Sequence, residues 1–330
     1  MKKLLLLAGI ACTVAVPAFS AEKVSWTGYT DHPNSMTPEF TFLEQIAEEV
    51  SKATDGNFTI RMLVGGSLPI KGADVCPAIA DGIVQMGVCG SAAAGFLPIY
   101  NVARMPMLYE TKDELWRGLN EVVTPYLDRA LDKKSVKLLA MYSYPYHSVW
   151  TINKPISKLS ELKGMKIRTM TPAQAGLMKA YGAITVTLST GDVATAIQQG
   201  VIDGYLTATG GAGKLWIDSV KYNYRTRLSW GPGMVTANKA AFAKLPAAYQ
   251  EALLKASVKA STWLTDKMYD DEETLTAKFV AEKGLITTPY DAADAAEARK
   301  IAEGIWVEQA EKIGPDAVAA LKEVRALLGK

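Results

Sequence analysis

The chain has 330 residues, of which 49% are hydrophobic and 21% are charged, which suffices for one large or two medium domains and excludes a disordered chain. Its 36 Lys and Arg and 34 Asp and Glu give a net charge of +2 without a basic cluster, so we do not expect binding to nucleic acid. Two histidines and three cysteines are too few for a typical zinc site, and we expect neither a metal nor a cofactor.

The first twenty residues have the three-part plan of a secretory signal peptide. Lys2 and Lys3 precede an apolar run over residues 4–16, and residues 18–20 fit a cleavage site. The run is shorter than the roughly 20 residues that span a bilayer. We therefore expect residues 1–20 to be a signal peptide, the mature chain to begin at Ala21, and the protein to reside in the periplasm.

Strands and helices alternate in the first part of the mature chain. Thr37 and Pro38 predict the start of a helix, because they supply an N-cap and a proline at the first helical position. Strands are predicted over residues 23–30, 57–64, 83–89 and 136–143, and helices over residues 38–50, 74–80 and 112–131. Such alternation is typical of a mostly parallel sheet with helices on both faces.

Cys76 and Cys89 remain after removal of the signal peptide. The predicted helix over residues 74–80 and the strand over residues 83–89 place the two thiols close enough for a disulfide in an oxidising compartment. Free buried cysteines are also common. The sequence leaves both alternatives open.

A second run of the same kind follows from Trp150. Strands are predicted up to residue 153 and over residues 165–169, 184–187 and 201–205, with helical segments at residues 159–162, from Thr171, and at residues 191–199. After Pro246, the residues up to Lys283 contain neither Gly nor Pro and predict one long helix, the alternative being two helices that break near Ser261. We therefore expect two α/β units and a long helix that lies along both.

Motifs of the common enzyme classes are absent from the sequence. Residues 210–215 resemble the tail of a phosphate-binding loop but lack its spacing and its hydroxyl. There is no Gly-x-Ser-x-Gly turn, and the two histidines are not spaced as metalloprotease ligands. We expect no catalytic residues.

Arg168 is the strongest candidate for binding a ligand. It lies near the end of the predicted strand over residues 165–169, directly before the helix that begins at Thr171. Ligands of open α/β sheets bind at the carboxyl ends of strands, and free N–H groups of a following helix favour an anion there. A guanidinium can hold a carboxylate or a sulfonate by two parallel hydrogen bonds. A surface ion pair is the alternative role.

Two segments carry a family resemblance: residues 156–168 (ISKLSELKGMKIR) and residues 196–204 (AIQQGVIDG). They resemble the extracytoplasmic solute receptors of tripartite ATP-independent periplasmic (TRAP) transporters, the DctP family, and the likeness covers essentially the whole mature chain. It implies an α/β fold of the two-domain periplasmic binding protein type (class II-like) with a long helix that spans both domains. Domain I would comprise residues 21–145 and about 232–270, domain II residues 146–231 and about 271–330, and the ligand cleft would lie between them.

The resemblance also implies that Arg168 binds the carboxylate of an organic acid. The sialic-acid branch of the family has a second arginine where this chain has Ser148, and an asparagine where it has Thr207. These departures favour a smaller or singly charged anion over a sialic acid or a dicarboxylate. The other ligand-binding candidates are polar and aromatic residues of loops and strands: His32, Tyr144, His147, Ser148, Tyr205 and Thr207.

The expected function is therefore that of a periplasmic receptor. It would close its two domains around a monocarboxylate or a sulfonate such as isethionate, or around an aromatic or hydroxy acid. It would act as a monomer and deliver the ligand to the small and large membrane subunits of a TRAP permease. Two alternatives remain open at this point: a secreted α/β hydrolase or lyase, and a ligand-binding receptor for a membrane sensor.

Overall fold

One mixed sheet runs through the protein in the computed structural model, which describes residues 22–32 and 37–330. The predicted signal peptide and the start of the mature chain at Ala21 lie outside these residues. The strands are β1 Val24–Tyr29, β2 Phe58–Leu63, β3 Met86–Cys89, β4 Val136–Thr151, β5 Lys166–Thr169, β6 Ile184–Thr187, β7 Gly204–Thr207, β8 Tyr222–Asn238 and β9 Ile286–Pro289.

Helices cover the sheet, as the alternating pattern predicts. They are α1 Pro38–Ala53, α2 Val75–Ala80, α3 Lys112–Arg117, α4 Thr124–Asp132, α5 Pro172–Ala180, α6 Val193–Gln198, α7 Lys239–Ala243, α8 Ala247–Lys283, α9 Ala292–Ile313 and α10 Pro315–Leu328. Short 3₁₀ segments, among them Pro98–Arg104 and Ala212–Ser219, connect some of these elements. The prediction of an α/β fold is confirmed.

Strand directions explain where a site can form. The sheet order is β2-β1-β3-β8-β4-β7-β5-β6, with β9 beside β8. β1 and β3 run parallel to each other, β3 and β4 are both antiparallel to β8, and β7 is antiparallel to β4. The carboxyl ends of β1 and β3 therefore point towards those of β5 and β7.

The strand register locates the meeting point of these ends. Cys89 at the end of β3 pairs with Met234 of β8, which pairs with Met141 of β4. Thr207 at the end of β7 pairs with Ser148 of β4. The two sets of strand ends thus approach residues 142–147 of β4 from opposite directions and leave a gap between them. Residues 142–147 of β4 cross this gap, and we call this region the central gap.

β4 and β8 differ from the sequence-based prediction. The sequence predicts two separate strands, over residues 136–143 and near Trp150, because Pro145 interrupts the pattern. The structure has a single strand from Val136 to Thr151, because a register shift between Tyr144 and His147 accommodates the proline, which has no N–H for the ladder. The predicted domain boundary falls at this bulge, and the division into two domains stays a prediction.

The sequence-based prediction missed β8, because Gly231, Pro232 and Gly233 at its centre are typical of a turn. The glycines are required for close packing instead. A Cβ at Gly233 would lie 2.2 Å from the ring of Tyr142, and one at Gly231 would lie 2.9 Å from Nε2 of His147. Side chains of the central gap therefore cross over β8 at these two residues.

The single long helix is confirmed. α8 continues through Ser261 without a break and ends at Gly284, whose φ of 68° favours glycine. Its 37 residues give a length of about 55 Å at roughly 1.5 Å per residue. Leu253 packs with the aromatic residues around β1, whereas Phe279 packs near Trp150. The helix therefore extends along both halves of the sheet, on either side of the central gap.

The predicted helix over residues 112–131 has a more complex form. α3 and α4 are joined by a π-helical segment, Gly118–Val123, just before Pro125. The chain thus remains helical across the whole predicted range. The open question about the cysteines is also answered, since Cys76 of α2 and Cys89 of β3 form a disulfide with their Cα atoms 5.4 Å apart.

Two searches of the described residues gave negative results. Within residues 22–32 and 37–330, no helix has the length and the apolar content needed to cross a bilayer. The same residues contain no group of three or more His, Cys, Asp or Glu side chains that could hold a metal ion.

Candidate functional site

Arg168 lies beside the central gap, fully buried, on the carboxyl-terminal half of β5. Its Nε donates to the carbonyl oxygen of Leu188 at 3.0 Å, and Nη1 donates to that of Leu206 at 3.3 Å. Nη2 is buried and has no hydrogen-bond partner among the described residues. No described carboxylate forms an ion pair with Arg168 either. The two backbone carbonyls therefore orient the guanidinium and leave one edge for a ligand.

The electrostatic environment of Arg168 favours an anion. Burial lowers the pKa of Arg168 to about 9, and the positive charge of Arg104 acts in the same direction. At neutral pH the guanidinium is still protonated, so a positive charge is held away from water. An anionic ligand would restore the electrostatic stabilisation that burial removes.

Tyr205 and two tryptophans form the wall around Arg168. In the strand register, Arg168 of β5 lies beside Tyr205 of β7, and Tyr205 lies beside Trp150 of β4. The three side chains therefore lie in one row on the same face of the sheet. Tyr205 stacks on Trp150 at 5.9 Å, and the guanidinium lies 5.8 Å from the ring of Trp216. The hydroxyl of Tyr205 is buried without a partner in the described chain, and burial raises its pKa, so the phenol is neutral.

His147 is part of a buried hydrogen-bond network at the central gap. Nδ1 lies 3.1 Å from Nε2 of Gln174 and 3.2 Å from Oγ of Ser229, and Nε2 of Gln174 also donates to this Oγ at 2.7 Å. Burial lowers the pKa of His147 well below its usual value, and the charges of Arg104 and Arg168 lower it further. The ring is therefore neutral, and because Nδ1 accepts from the amide, we assign the proton to Nε2.

The N-terminus of α5 is less available to a ligand than the sequence suggested. The side chain of Thr171 accepts a hydrogen bond from the backbone N–H of Gln174 at 3.1 Å, which caps the helix. Oε1 of Gln174 accepts from the N–H of Met170 at 2.9 Å. Gln174 thus connects the helix cap to His147, a positioning role that sequence reasoning missed.

Arg104 is a second buried cation near the central gap, at the end of the 3₁₀ segment Pro98–Arg104. Its Nη2 lies 3.9 Å from the sulfur of Met170, and its guanidinium lies 5.6 Å from the ring of Tyr100. Burial lowers the pKa of Arg104, whereas Tyr100 and Tyr142 raise it. Arg104 is not among the ligand-binding residues predicted from the sequence, in which its signal is a charge inside an apolar run before Met105.

Comparison with known proteins assigns the chain to a family. A model for bacterial extracellular solute-binding proteins, family 7 (DctP), matches residues 30–313. The chain belongs to this family. The resemblance inferred from sequence is confirmed, and DctP-family proteins are solute-binding receptors rather than enzymes, so the hydrolase or lyase alternative is wrong.

Individual relatives are distant in sequence. The chain is 24% identical over 276 residues to the 2,3-diketo-L-gulonate-binding periplasmic protein YiaO of Escherichia coli, covering 82% of this chain and 81% of YiaO. A solute-binding protein of Verminephrobacter eiseniae is 27% identical over 218 residues, and the match spans 65% of each chain.

Solved structures match over nearly the whole chain. DctP7 of Bordetella pertussis, an extracytoplasmic solute receptor that binds pyroglutamic acid, superposes with a TM-score of 0.82 at 27% identity, covering 92% of this chain and 99% of DctP7. A TRAP periplasmic solute binding protein of Roseobacter denitrificans with bound β-D-glucuronate gives a TM-score of 0.79 at 20% identity, covering 90% and 99%. The second likeness supports the fold alone.

Ser148 and Thr207 are two of the predicted ligand-binding residues. They pair with each other across β4 and β7, and both are buried. Oγ of Ser148 donates to the carbonyl oxygen of Thr226 at 3.1 Å, and the carbonyl oxygen of Thr207 accepts from Nε1 of Trp150 at 3.1 Å. The hydroxyl of Ser148 is thus engaged within the protein, although both residues lie beside the central gap.

Tyr144 and His32 are the remaining predicted ligand-binding residues. The ring of Tyr144, in the central gap, packs edge-on against Tyr142 at 5.7 Å. Burial raises the pKa of Tyr144 well above its usual value, and the nearby Tyr142, Glu39 and Asp31 raise it further. His32 is half-buried, and its hydrogen bonds involve its backbone: the N–H donates to Thr30, and the carbonyl oxygen accepts from Gly65. No hydrogen bond connects His32 to Arg168 in the described chain.

A cavity of about 780 Å³ lies elsewhere in the protein, between α3, α4, β4 and α8. Trp116, Leu139 and Thr262 line it, and Arg168, His147 and Tyr205 do not. This cavity is therefore separate from the candidate site around Arg168.

Proposed function

We propose that this protein captures a small organic acid in the periplasm, closes around it, and delivers it to the small and large membrane subunits of a TRAP permease. One observation carries the proposal: Arg168 is fully buried and charged, has no carboxylate partner in the described chain, and keeps Nη2 without a hydrogen bond. A buried ion is costly unless it is paired, so the natural partner of this group is an anion supplied by a ligand.

Neutral groups next to Arg168 support an oxyanion with further polar contacts. Nε2 of His147 and the hydroxyl of Tyr205 are uncharged donors, and they can bind oxygen atoms without adding charge. Arg104 adds a second positive charge on the other side of the central gap. A carboxylate or a sulfonate satisfies this arrangement, whereas a cationic or apolar ligand does not.

The relatives support an oxygen-rich acid. YiaO is named for 2,3-diketo-L-gulonate, and DctP7 binds pyroglutamic acid. Both ligands carry one carboxylate together with further oxygen atoms. We therefore favour a hydroxy, oxo or lactam monocarboxylate over a sulfonate such as isethionate or a purely aromatic acid.

The proposed capture step follows from the sheet. Domain I, residues 21–145 with about 232–270, and domain II, residues 146–231 with about 271–330, would move apart around the central gap and close over the acid. The contact between Arg104 of domain I and Met170 of domain II connects the two predicted domains, two residues from Arg168. We expect the receptor to act as a monomer.

A thermal-shift screen tests the proposal. Wild-type protein is heated with pyroglutamate, pantoate, D-glucuronate, D-galactonate, isethionate and benzoate, and an acid at 100 times its dissociation constant should add about 2.7 kcal/mol to stability. Arg168→Ala should lose the response. Arg61→Ala, which removes an exposed arginine of β2, should keep it. Absence of any response in the wild type, or an equal response in Arg168→Ala, contradicts the proposal.

A further inference from the structure

An ion pair connects two elements on opposite sides of the central gap. Glu39 lies in the first turn of α1, which follows β1, and Lys214 lies in the 3₁₀ segment Ala212–Ser219, which follows β7. Oε1 of Glu39 is 3.6 Å from Nζ of Lys214. Because β1 and β7 belong to the two sets of strand ends that face each other, this contact crosses the candidate cleft.

The loop that presents Lys214 is held in place by α8. Nζ of Lys214 donates to the carbonyl oxygen of Gly210 at 3.0 Å, and the N–H of Gly210 donates to Oε2 of Glu272 at 2.9 Å. A Cβ at Gly210 would lie 2.2 Å from the carbonyl oxygen of Met268, so only glycine permits this approach to the helix. The ammonium therefore has a fixed position opposite α1.

Glu39 keeps an unused acceptor in this arrangement. Its side chain is 5% exposed, and Oε2 is buried without a hydrogen bond from any residue in the described part of the chain. The ion pair with Lys214 involves Oε1 at a distance longer than a hydrogen bond. A buried carboxylate oxygen that accepts nothing is costly, because the group has lost its water.

The position of Glu39 relates it to the candidate site. Its negative charge contributes to the raised pKa values of Tyr142 and Tyr144, both in the central gap. Tyr142 in turn raises the pKa of Arg104. Glu39 is therefore close enough to both rings to act on them electrostatically.

We propose that Glu39 is a specificity-determining residue, whose carboxylate accepts a hydrogen bond from an O–H or N–H group of the ligand. The inference rests on the proposed organic-acid site. With Arg168 at the carboxylate and Glu39 at a donor, the cleft selects acids that carry a hydroxyl or an amide N–H away from the carboxylate. Lys214 pairs with Glu39 and closes the cleft over that end of the ligand.

Matched ligands test the proposal first in the wild type. Pyroglutamate is titrated calorimetrically beside its lactone analogue, in which a ring oxygen replaces the N–H, and pantoate beside its analogue without the 4-hydroxyl. For any other acid that binds in the screen, the analogue has one O–H replaced by O-methyl. We expect the donor-bearing acid to bind about tenfold more tightly or better, as for a hydrogen bond to a charged group.

The Glu39→Gln variant then assigns the effect. It should lose most of the preference for the donor-bearing acid while its affinity for the matched analogue changes little. Glu49→Gln, which alters an exposed ion pair with Lys259 on the same helix, is the matched control and should keep the preference. Lys214→Met leaves the Glu39 carboxylate in place, so it should weaken both ligands but retain their ratio.

The outcomes separate this inference from the proposed function. If acids bind but the wild type does not distinguish a donor from its analogue, Glu39 has no such role, although the organic-acid site stands. Equal weakening of both ligands by Glu39→Gln, with their ratio unchanged, assigns the residue to cleft closure only and overturns the proposal. If no acid in the panel binds the wild type, both proposals fail.

Discussion

The guanidinium of Arg104 lies 3.9 Å from the sulfur of Met170, and Met170 follows Arg168 by two residues. Two buried arginines from distant parts of the sequence therefore approach the same strand end. The charge of Arg104 lowers the pKa of Arg168 and that of His147, so an anion bound at Arg168 would experience both positive charges.

Arg168→Ala should weaken binding of the acid identified in the screen by about 3 to 5 kcal/mol, which is two to four decades, because the ligand anion would stay desolvated without its partner. Arg168→Lys should recover only part, since an ammonium cannot form the two parallel hydrogen bonds. Calorimetry measures both affinities. Unchanged binding in a folded Arg168→Ala protein would contradict the assignment, and its melting temperature without ligand serves as the folding control.

Arg104→Met should weaken binding less than Arg168→Ala does. Two unit charges about 8 Å apart interact by about 2 kcal/mol at an effective dielectric constant of about 20, which sets the scale of the expected loss. The ratio of affinities for a monocarboxylate and a dicarboxylate of similar size gives the sharper readout, because the second negative charge gains most from Arg104. We expect the ratio to shift towards the monocarboxylate. A ratio that does not change would place the charge of Arg104 outside the reach of the ligand.

His147 should make the ligand-free protein sensitive to acid. Its pKa is lowered in the folded state, so the unfolded chain binds a proton as the pH falls below about 6.5, while the folded chain does not. Stability contributed by the neutral ring is thus present above that pH and decreases below it. Urea unfolding at pH 7.5 and pH 5 should show a smaller decrease for His147→Gln than for the wild type. Equal decreases would contradict the buried neutral histidine.

Removal of the disulfide should lower stability without changing ligand affinity. The bond between Cys76 and Cys89 spans 13 residues, and closure of a loop of this size contributes about 3 kcal/mol through the unfolded state. A double replacement, Cys76→Ala with Cys89→Ala, should therefore unfold at lower urea concentration. Calorimetry with the identified acid should give the wild-type affinity, and a large loss of affinity would show that the bond positions the site.

Local signals in the sequence were sufficient for most elements. Thr37 with Pro38, and Thr171 with Pro172, start helices where capping residues and proline predict them. Gly284 ends α8 as expected. These features depend on neighbouring residues only, and a single sequence contains that information.

Features that depend on distant contacts were not accessible. Pro145 and the glycines of β8 are typical of turns. A register shift accommodates Pro145 within β4, and the packing of Tyr142 and His147 across β8 explains why the glycines lie within a strand. Arg168 could be predicted from its strand and the motif around it. Arg104 and Glu39 could not be assigned, because their neighbours Met170 and Lys214 are distant in sequence and meet them only in the folded chain.

Because β4 and β8 run without interruption through both halves of the sheet, the two halves are coupled in unfolding. Neither strand can detach on one side without breaking hydrogen bonds that hold the other, so the two sides are not independent folding units. Heating should produce one calorimetric transition, with a van't Hoff enthalpy equal to the measured enthalpy. Fragments made by cutting at Pro145 would each lack strands supplied by the other, and we expect neither fragment to fold when expressed by itself.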